Sequence, residues 1–319
     1  MASPLSIADR LVVAPEIADA LAAGRPVVAL ESTLISHGLP YPQNLAVARA
    51  SESAVRSSGA VPATVAIRDG RLLVGLADAD LESLASAPAG SIRKAARPSL
   101  AIALAAGGWA ATTVSATMIA AHAAGIVVFA TGGIGGVHRG ALAGGGAGQA
   151  PTFDISSDLE ELARTPMAVV CAGPKAILDV AATIEYLETL GVPVLAIGQE
   201  DLPGFFARSA GCRAPGSVPD VSAAADLVAT YLALGLRAGI VLCTPVPPGA
   251  ALPDALARDA VERAIRDADE AGIGGPALTP WLLARIATLT QGASIRANTA
   301  LIVNDAQVAG ELAARLAGA

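Results

Sequence analysis

Short apolar runs alternate along the chain with segments of helical periodicity. The apolar runs are rich in β-branched residues, which is typical of buried strands. They lie at 27–30, 126–130, 168–171, 194–197 and 240–242. Helices are predicted from the 3.6-residue spacing of apolar positions at 44–57, 118–124, 174–190, 255–271 and 299–316. Strands separated by such helices predict a three-layer α/β/α fold with a central, mostly parallel or mixed sheet.

A hairpin is predicted where the segments 63–67 and 72–76 flank Arg-Asp-Gly-Arg at 68–71, a sequence typical of a tight turn. No strong linker or internal repeat divides the chain. The glycine-rich segment ALAGGGAGQAP at 141–151 is too short to separate domains, and we interpret it as a flexible surface insertion. We therefore expect one domain over 1–319.

The composition raises the alternative of a membrane protein, because 53% of the residues are hydrophobic and only 15% are charged. The longest uncharged stretch, 99–137, is long enough to span a bilayer. However, it is rich in alanine, and Gly107, Gly108 and Gly125 divide it into pieces of ordinary length. A buried helix followed by a buried strand is the better interpretation, so no membrane association is predicted.

Other features of the composition predict a cytoplasmic location. Asp9 and Arg10 precede any apolar run, so no signal peptide is expected. The three cysteines are widely spaced in apolar surroundings, which favours reduced packing residues over disulfides or metal ligands. The net charge of −7 and the lack of a basic cluster argue against a nucleic-acid partner.

Lysine is rare in this chain. Of 21 basic residues only Lys94 and Lys175 are lysines, and all the others are arginines. Lysine offers what arginine cannot, namely an amine that can lose its proton or act as a compact point charge. The alternative is drift in a chain that is biased toward alanine and arginine.

Polar side chains follow three of the predicted strands. Glu31 follows the strand at 27–30, Thr131 and a glycine-rich loop follow the strand at 126–130, and Lys175 comes soon after the third. Ligands of open α/β sheets bind beyond the carboxyl ends of the strands. These three exits therefore predict a single pocket that contains a carboxylate, a glycine-rich turn and an amine.

The loop TGGIGGVHRG at 131–140 has two interpretations. Glycines allow a backbone to approach an anion and to point amides at it, and His138 and Arg139 could add charge. The loop lacks the spacing of a Walker A or dinucleotide motif. A tight structural turn is the alternative to phosphate binding.

Lys175 is a candidate nucleophile. Pro174 suits the first position of a helix, which would place Lys175 in the first turn, where the helix dipole disfavours an ammonium. More of the amine would then be neutral and able to attack an electrophilic carbon. The alternative is a surface lysine that pairs with Asp179 one turn later.

The polar segment FDISSD at 153–158 also has two interpretations. Carboxylates at this spacing can hold a hard divalent cation through oxygen and water. Alternatively, Ser157 or Asp158 caps a helix that begins near Leu159. Elsewhere, His122 is expected to pack in the core, and Asn298 to begin the C-terminal helix as its N-cap or to reach the pocket.

Seven separated blocks, in this order, resemble the pseudouridine-5′-phosphate glycosidase family, also called the indigoidine synthase A-like family. The blocks are ALESTLISHGLPYPQN (29–44), GAVPATVAIRDG (59–70), ATTVSATM (111–118), TGGIGGVHRG (131–140), TFDISSDL (152–159), CAGPKAILD (171–179) and RANTALIVNDAQVA (296–309). The resemblance implies a homotrimeric α/β/α enzyme that uses a divalent metal such as Mn²⁺. It implies reversible hydrolysis of pseudouridine 5′-phosphate to uracil and ribose 5-phosphate, in nucleobase catabolism.

The resemblance also implies roles for individual residues. Glu31 matches the family's proton donor, Lys175 its nucleophile and Asp154 its metal ligand. The positions that match substrate-binding residues are Lys94, Val114, Thr131, His138, Ser156, Ser157, Asp158 and Asn298.

Two features depart from the family pattern. The 141–151 insertion is longer than the usual link, and Pro174 stands where many relatives have a small residue. Some relatives carry a fused sugar kinase, which we do not expect here. The alternatives are a Schiff-base aldolase that acts on a sugar phosphate, or a regulator that binds a sugar phosphate without catalysis.

Overall fold

The computed structural model describes residues 6–88, 90–142, 144, 150–274 and 278–318. Much of the predicted flexible insertion, at 143 and 145–149, lies outside the described residues. The strands are β1 (Leu11–Val13), β2 (Val27–Leu30), β3 (Val61–Arg68), β4 (Arg71–Val74), β5 (Arg93–Ala95), β6 (Trp109–Thr112), β7 (Val128–Ala130), β8 (Ala168–Cys171), β9 (Val194–Ile197), β10 (Gly216–Val218) and β11 (Ile240–Cys243).

The helices are α1 (Ile7–Arg10), α2 (Pro15–Ala22), α3 (Thr33–His37), α4 (Gln43–Ser57), α5 (Asp78–Ala85), α6 (Leu100–Ala105), α7 (Val114–Ala123), α8 (Ser157–Leu162), α9 (Val180–Thr189), α10 (Val221–Ala233), α11 (Asp254–Glu270), α12 (Leu278–Leu289) and α13 (Ala293–Ala317). A short 3₁₀ turn, Arg97–Ser99, precedes α6.

One mixed sheet joins all of these strands. Its central part runs in the order β3-β2-β7-β8-β11-β9-β10, and every pair in it is parallel. At one end β3 pairs antiparallel with both β4 and β6. The remaining strands, β1 and β5, extend the sheet by parallel pairing with β4 and β6. The predicted mostly parallel, mixed sheet is thereby confirmed.

Helices cover both faces of the sheet. On β8, Val169 and Cys171 belong to a core shared with α2, α7, α8 and α9. Ala168 and Val170, which alternate with them, belong to a second core shared with α4, α10 and α13. Because both faces of the strand are buried, its sequence is continuously apolar instead of alternating.

Several predicted elements are confirmed, and others begin at different residues than predicted, among them α7, which begins at Val114 and not at 118. Strands β2 and β8 have the predicted bounds, and β3 and β4 form the predicted hairpin. The helix predicted at 174–190 begins only at Val180, and the one predicted at 299–316 begins earlier, at Ala293. The uncharged stretch 99–137 contains α6, β6, α7 and β7. No helix in the described ranges is long and apolar enough to cross a bilayer.

Two predictions about single side chains are corrected by their burial. His122 lies on the exposed side of α7 and is not packed in the core. Cys171 and Cys243 are buried, as expected for packing residues, whereas Cys212 is exposed. All three are free thiols.

Candidate active site

Residues that follow β2, β7 and β8 line one cavity, together with residues from β5 and from the starts of α7 and α8. Thus the three strand exits predicted from the sequence do meet in space. The lining residues are Glu31, Thr33, Lys94, Ala96, Thr113, Val114, Gly135, His138, Ser156, Ser157, Asp158, Lys175, Ile177, Leu178 and Thr279. Both lysines of the chain are among them.

Lys175 lies on an extended segment and not in a helix. Pro174 forms an isolated bridge with Ile134, and the Lys175 amide donates to the Ile134 carbonyl at 3.1 Å. Further on, the Asp179 amide donates to the Val137 carbonyl at 2.9 Å. Pairing with the glycine-rich loop therefore competes with helix formation over 174–179. The helix-dipole argument for a neutral Lys175 does not apply to this geometry.

Asp179 caps a helix and is not paired with Lys175, so the alternative of a surface ion pair is wrong. Its side chain is the N-cap of α9 and accepts a hydrogen bond from the Ala182 amide at 3.0 Å. Neither lysine of the chain lies within ion-pair distance of a carboxylate in the described ranges.

Several backbone amides of the glycine-rich loop are already hydrogen-bonded to other parts of the protein. The amide of Ile134 donates to the Gly173 carbonyl at 3.2 Å, and the amide of His138 to the Asp154 carbonyl at 3.0 Å. Val137 donates to a threonine hydroxyl on α9. These bonds favour the tight structural turn over a cradle of amides for phosphate. The glycines are needed for close packing, since a Cβ at Gly135 would clash with the Ser156 side chain.

Asp158 joins the glycine-rich loop to the start of α7. Its side chain is buried, and its two oxygens accept from the amides of Ser115 and Gly135, each at 3.0 Å. The helix cap predicted at Ser157 or Asp158 is instead provided by Ser156, whose hydroxyl accepts from the Asp158 amide at 3.3 Å. Asp158 therefore fixes the shape of the cavity wall.

Glu31 is a buried acid at the cavity. Its residue is 7% exposed, and the Thr131 hydroxyl donates to Glu31 Oε1. Burial raises the pKa of Glu31 above its usual value, against the opposing effect of the positive charge on Lys175 and of the Thr131 hydrogen bond. An acid with a raised pKa can hold a proton near neutral pH and give it to a ligand.

Lys94 supplies a second amine from β5. Desolvation by the surrounding protein lowers the pKa of Lys94, and repulsion from Lys175 lowers it further, whereas Glu31 and Asp158 oppose the shift. Two amines that face one cavity create a positive potential for an anionic ligand. The cavity therefore combines an acid, two amines and several hydroxyl groups.

The chain is similar to known proteins over nearly its whole length. The family model described as indigoidine synthase A-like protein matches residues 16–315. The chain belongs to the indigoidine synthase A-like family. Two relatives are named pseudouridine-5′-phosphate glycosidase. The one from Paracoccus denitrificans is 52% identical and covers 96% of this chain and 98% of its own length. The one from Solibacter usitatus is 51% identical over 95% of this chain and 98% of its own.

Two similar solved structures have the same fold. A prealnumycin C-glycosynthase in complex with ribulose 5-phosphate superimposes with a TM-score of 0.86, at 39% identity over 97% of each chain. An indigoidine synthase A-like protein from Thermotoga maritima gives a TM-score of 0.83, at 31% identity over 96% of each chain.

Two predicted pocket residues of this family member do not line the cavity. Thr131 lies behind Glu31 and holds its carboxyl group. Asn298 lies in the second turn of α13, so the prediction that it caps this helix is wrong. Its side chain is half-buried and is not among the residues that line the cavity.

The predicted metal ligand, Asp154, lies beside His138. Asp154 Oδ2 is 3.9 Å from His138 Nδ1, and the Asp154 side chain is about half exposed. Within the described ranges, no group of three or more acidic, histidine or cysteine side chains could hold a metal. The donor set suits a hard cation that keeps several water or phosphate oxygens, because such ions need only one or two carboxylates.

Sequence reasoning missed several lining residues. Thr279 comes from α12, more than 100 residues after Lys175 in the sequence, and nothing local marks it. Thr113 lies next to the implied position Val114, so the resemblance could have included it.

Proposed function

We propose that this chain catalyses the reversible hydrolysis of the C–C glycosidic bond of pseudouridine 5′-phosphate to uracil and ribose 5-phosphate. The observation that carries the proposal is that both lysines of the chain line the same cavity as a buried acid. The names of the relatives and the ribulose 5-phosphate in a related structure support the substrate class.

Cleavage of a C–C glycosidic bond needs a different route from ordinary glycosidases, because a carbon leaving group cannot be released by protonating a bridging oxygen. In the proposed route, opening of the ribose ring makes C1′ electrophilic. The Lys175 amine then bonds to C1′. Protonation of uracil C5 allows the C–C bond to break, with the nitrogen lone pair forming an iminium. Water hydrolyses the resulting imine to ribose 5-phosphate and the free amine.

Glu31 is suited to moving the protons in this sequence. It lines the same cavity as Lys175, and its raised pKa lets it alternate between acid and carboxylate. Lys94 would hold the phosphate, since its amine is a compact positive charge, and the backbone at Val114 would contact the ligand. His138 and Ser157 offer further hydrogen bonds to the ligand.

A divalent cation such as Mn²⁺ would be held by Asp154, with His138 nearby. When bound, such an ion would supply positive charge that orders phosphate and water. We also propose a homotrimer and a cytoplasmic location, which rest on the family resemblance and on the features of the sequence that predict them. Analytical ultracentrifugation would test the trimer.

The test of the proposed reaction is uracil release from pseudouridine 5′-phosphate in the presence of Mn²⁺. Lys175→Ala and Lys175→Arg should both abolish turnover, because neither side chain can form the imine. Borohydride reduction with ribose 5-phosphate should add the mass of one sugar phosphate at Lys175 in the wild type only. Substantial activity in either variant would refute the scheme.

The same experiments separate the alternatives. A Schiff-base aldolase would also be trapped by borohydride but would release no uracil. A sugar-phosphate-binding regulator would bind ribose 5-phosphate without a covalent adduct or a product. The cavity favours catalysis over regulation because it places a buried acid together with an amine, a combination that simple binding does not need.

A further inference from the structure

Glu31 borders a second, smaller chamber in addition to the substrate cavity. The chamber is mostly apolar, but four polar residues also line it, namely Glu31, Ser51, Thr64 and Thr131. Its volume is about 10 Å³, which is at the lower limit for holding one water molecule. A buried site of this size with several polar groups is a favourable place for an ordered water.

Thr64 lines the chamber and is hydrogen-bonded to Glu52, which is partly exposed to solvent. It lies on β3 beside Leu30 of β2, and its side chain is buried. Its hydroxyl donates to Glu52 Oε1 at 2.5 Å. Glu52 lies on α4 and is half-buried, so one end of this hydrogen bond is at the chamber and the other approaches solvent.

Two further observations favour proton transfer between Glu31 and Glu52 through Thr64. Burial raises the pKa of Glu52 above its usual value, although the Thr64 hydrogen bond opposes the shift. Glu31 Oε1 accepts from Thr131, while Oε2 has no hydrogen-bond donor within the described ranges. Two acids whose pKa values are both raised, and which are joined by hydroxyl groups, can pass a proton from one to the other.

We propose that a water in this chamber links Glu31 to Thr64 and Glu52, and that this line of groups exchanges the Glu31 proton with solvent while a ligand fills the substrate cavity. The proposal rests on the proposed function, in which Glu31 moves protons. A bound ligand covers the cavity side of Glu31, so that the chamber side remains as its route to solvent.

The transfer balances without any further reactant. In the outward direction Glu31 gives its proton to the water, and the water gives one of its own to Thr64 Oγ. Thr64 passes its hydroxyl proton to the Glu52 carboxylate. Water and Thr64 end as they began, Glu31 ends as a carboxylate, and Glu52 ends as an acid that releases the proton to solvent. The inward direction is the reverse.

Kinetics of uracil release test the relay. Thr64→Val and Glu52→Gln should lower kcat about tenfold, with KM changed by less than about twofold, because the ligand contacts remain. Thr64→Ser should restore kcat, since it keeps the hydroxyl. The solvent deuterium isotope effect on kcat should be larger in Thr64→Val than in the wild type, which a merely structural role would not produce.

Glu188→Gln is the matched control, because it removes an exposed carboxylate on α9, which does not line the chamber. It should leave both kcat and the isotope effect unchanged. Unchanged kcat and isotope effect in Thr64→Val would overturn the relay, as would a loss in Thr64→Ser equal to that in Thr64→Val. Circular dichroism of each variant separates misfolding from loss of the relay.

A crystal structure at high resolution gives a test that does not depend on turnover. The wild type should hold a water within hydrogen-bond distance of both Glu31 and Thr64 Oγ, and Thr64→Val should lose it. A dry chamber in the wild type would overturn the relay even if uracil is released. Failure of the wild type to release uracil would instead refute the proposed function, while the water would still decide whether the link to Glu52 exists.

Discussion

Asp305, on α13, is the most unusual single residue outside the cavity. It is completely buried, and neither carboxylate oxygen has a hydrogen-bond partner within the described ranges. The Ala172 amide, which comes close to it, donates instead to the Gly132 carbonyl at 3.2 Å. Burial raises the pKa of Asp305 well above its usual value, so the native protein favours the neutral acid.

The raised pKa makes stability depend on pH in a defined direction. Between the ordinary aspartate pKa and the folded value, the native state binds a proton that the unfolded state releases. Stability is therefore lost as the pH rises through this window, by up to about 1.4 kcal/mol per pH unit. Asp305→Asn, which mimics the neutral acid, should remove this component of the slope.

Urea unfolding at several pH values between 5 and 8 measures that difference. Asp226→Asn, on the exposed side of α10, is the control and should follow the wild type. If the curves of wild type and Asp305→Asn stayed parallel throughout, a protonated Asp305 would be ruled out.

Substitution of Glu31 should reduce catalysis but not ligand binding. Glu31→Gln keeps the shape of the side chain but cannot transfer a proton, so uracil release should fall by about 10²–10⁴-fold. Ribose 5-phosphate should still bind, as isothermal titration would measure. Tight binding with wild-type turnover would contradict the role of Glu31.

At the level of elements, the segment 174–179 and the glycine-rich loop depend on each other. The loop supplies carbonyls to Lys175 and Asp179, and the Gly135 amide donates to Asp158 at the start of α8. Gly135 has no room for a side chain because Ser156 lies against it. The position of the Lys175 backbone is therefore fixed by packing between two loops and not by a helix.

Gly135→Ala should disturb this arrangement. The added methyl group would push Ser156 and the start of α8 away, which should cost about 1–3 kcal/mol of stability and most of the activity. Gly249→Ala is the control, since a Cβ there meets no other atom within 4 Å. Thermal unfolding and uracil release measure the two effects, and equal behaviour of both variants would contradict the packing argument.

The local sequence predicted the bounds of elements well where burial alone determines the pattern of residues. The strands β2 and β8 were predicted at their true bounds because both of their faces are buried, which makes the apolar run unmistakable. The segment 174–179 was predicted as helix because its periodicity and Pro174 favour one. Its backbone pairs instead with a loop about 40 residues earlier, and no local pattern encodes that pairing.

At the scale of the whole molecule, the sequence predicted which strand exits meet, and the family resemblance named most of the cavity. Both succeed because the carboxyl ends of parallel strands share one edge of the sheet. The sequence did not reveal that both carboxylate oxygens of Asp158 accept hydrogen bonds from backbone amides. It also did not reveal that Thr131 lies behind Glu31 and donates to it. These hydrogen-bond partners depend on where each side chain points in the folded protein, which the sequence pattern does not show.

The cavity joins parts from both halves of the chain, so a ligand in it should stabilise the whole fold. Ribose 5-phosphate at a hundred times its Kd should raise the free energy of unfolding by about 2.7 kcal/mol. Differential scanning calorimetry measures this, with ribose as the control that lacks the phosphate. An equal effect of ribose would contradict phosphate recognition by Lys94.

The scarcity of lysine gives this protein a built-in chemical reporter. Apart from the α-amino group, every primary amine of the chain lines the cavity. An amine-directed reagent can therefore attach at no more than three points, and intact-mass spectra would resolve each stage of labelling. Protection of two of those points by a sugar phosphate would measure its occupancy directly, without a chromophore, a coupled assay or an engineered tag.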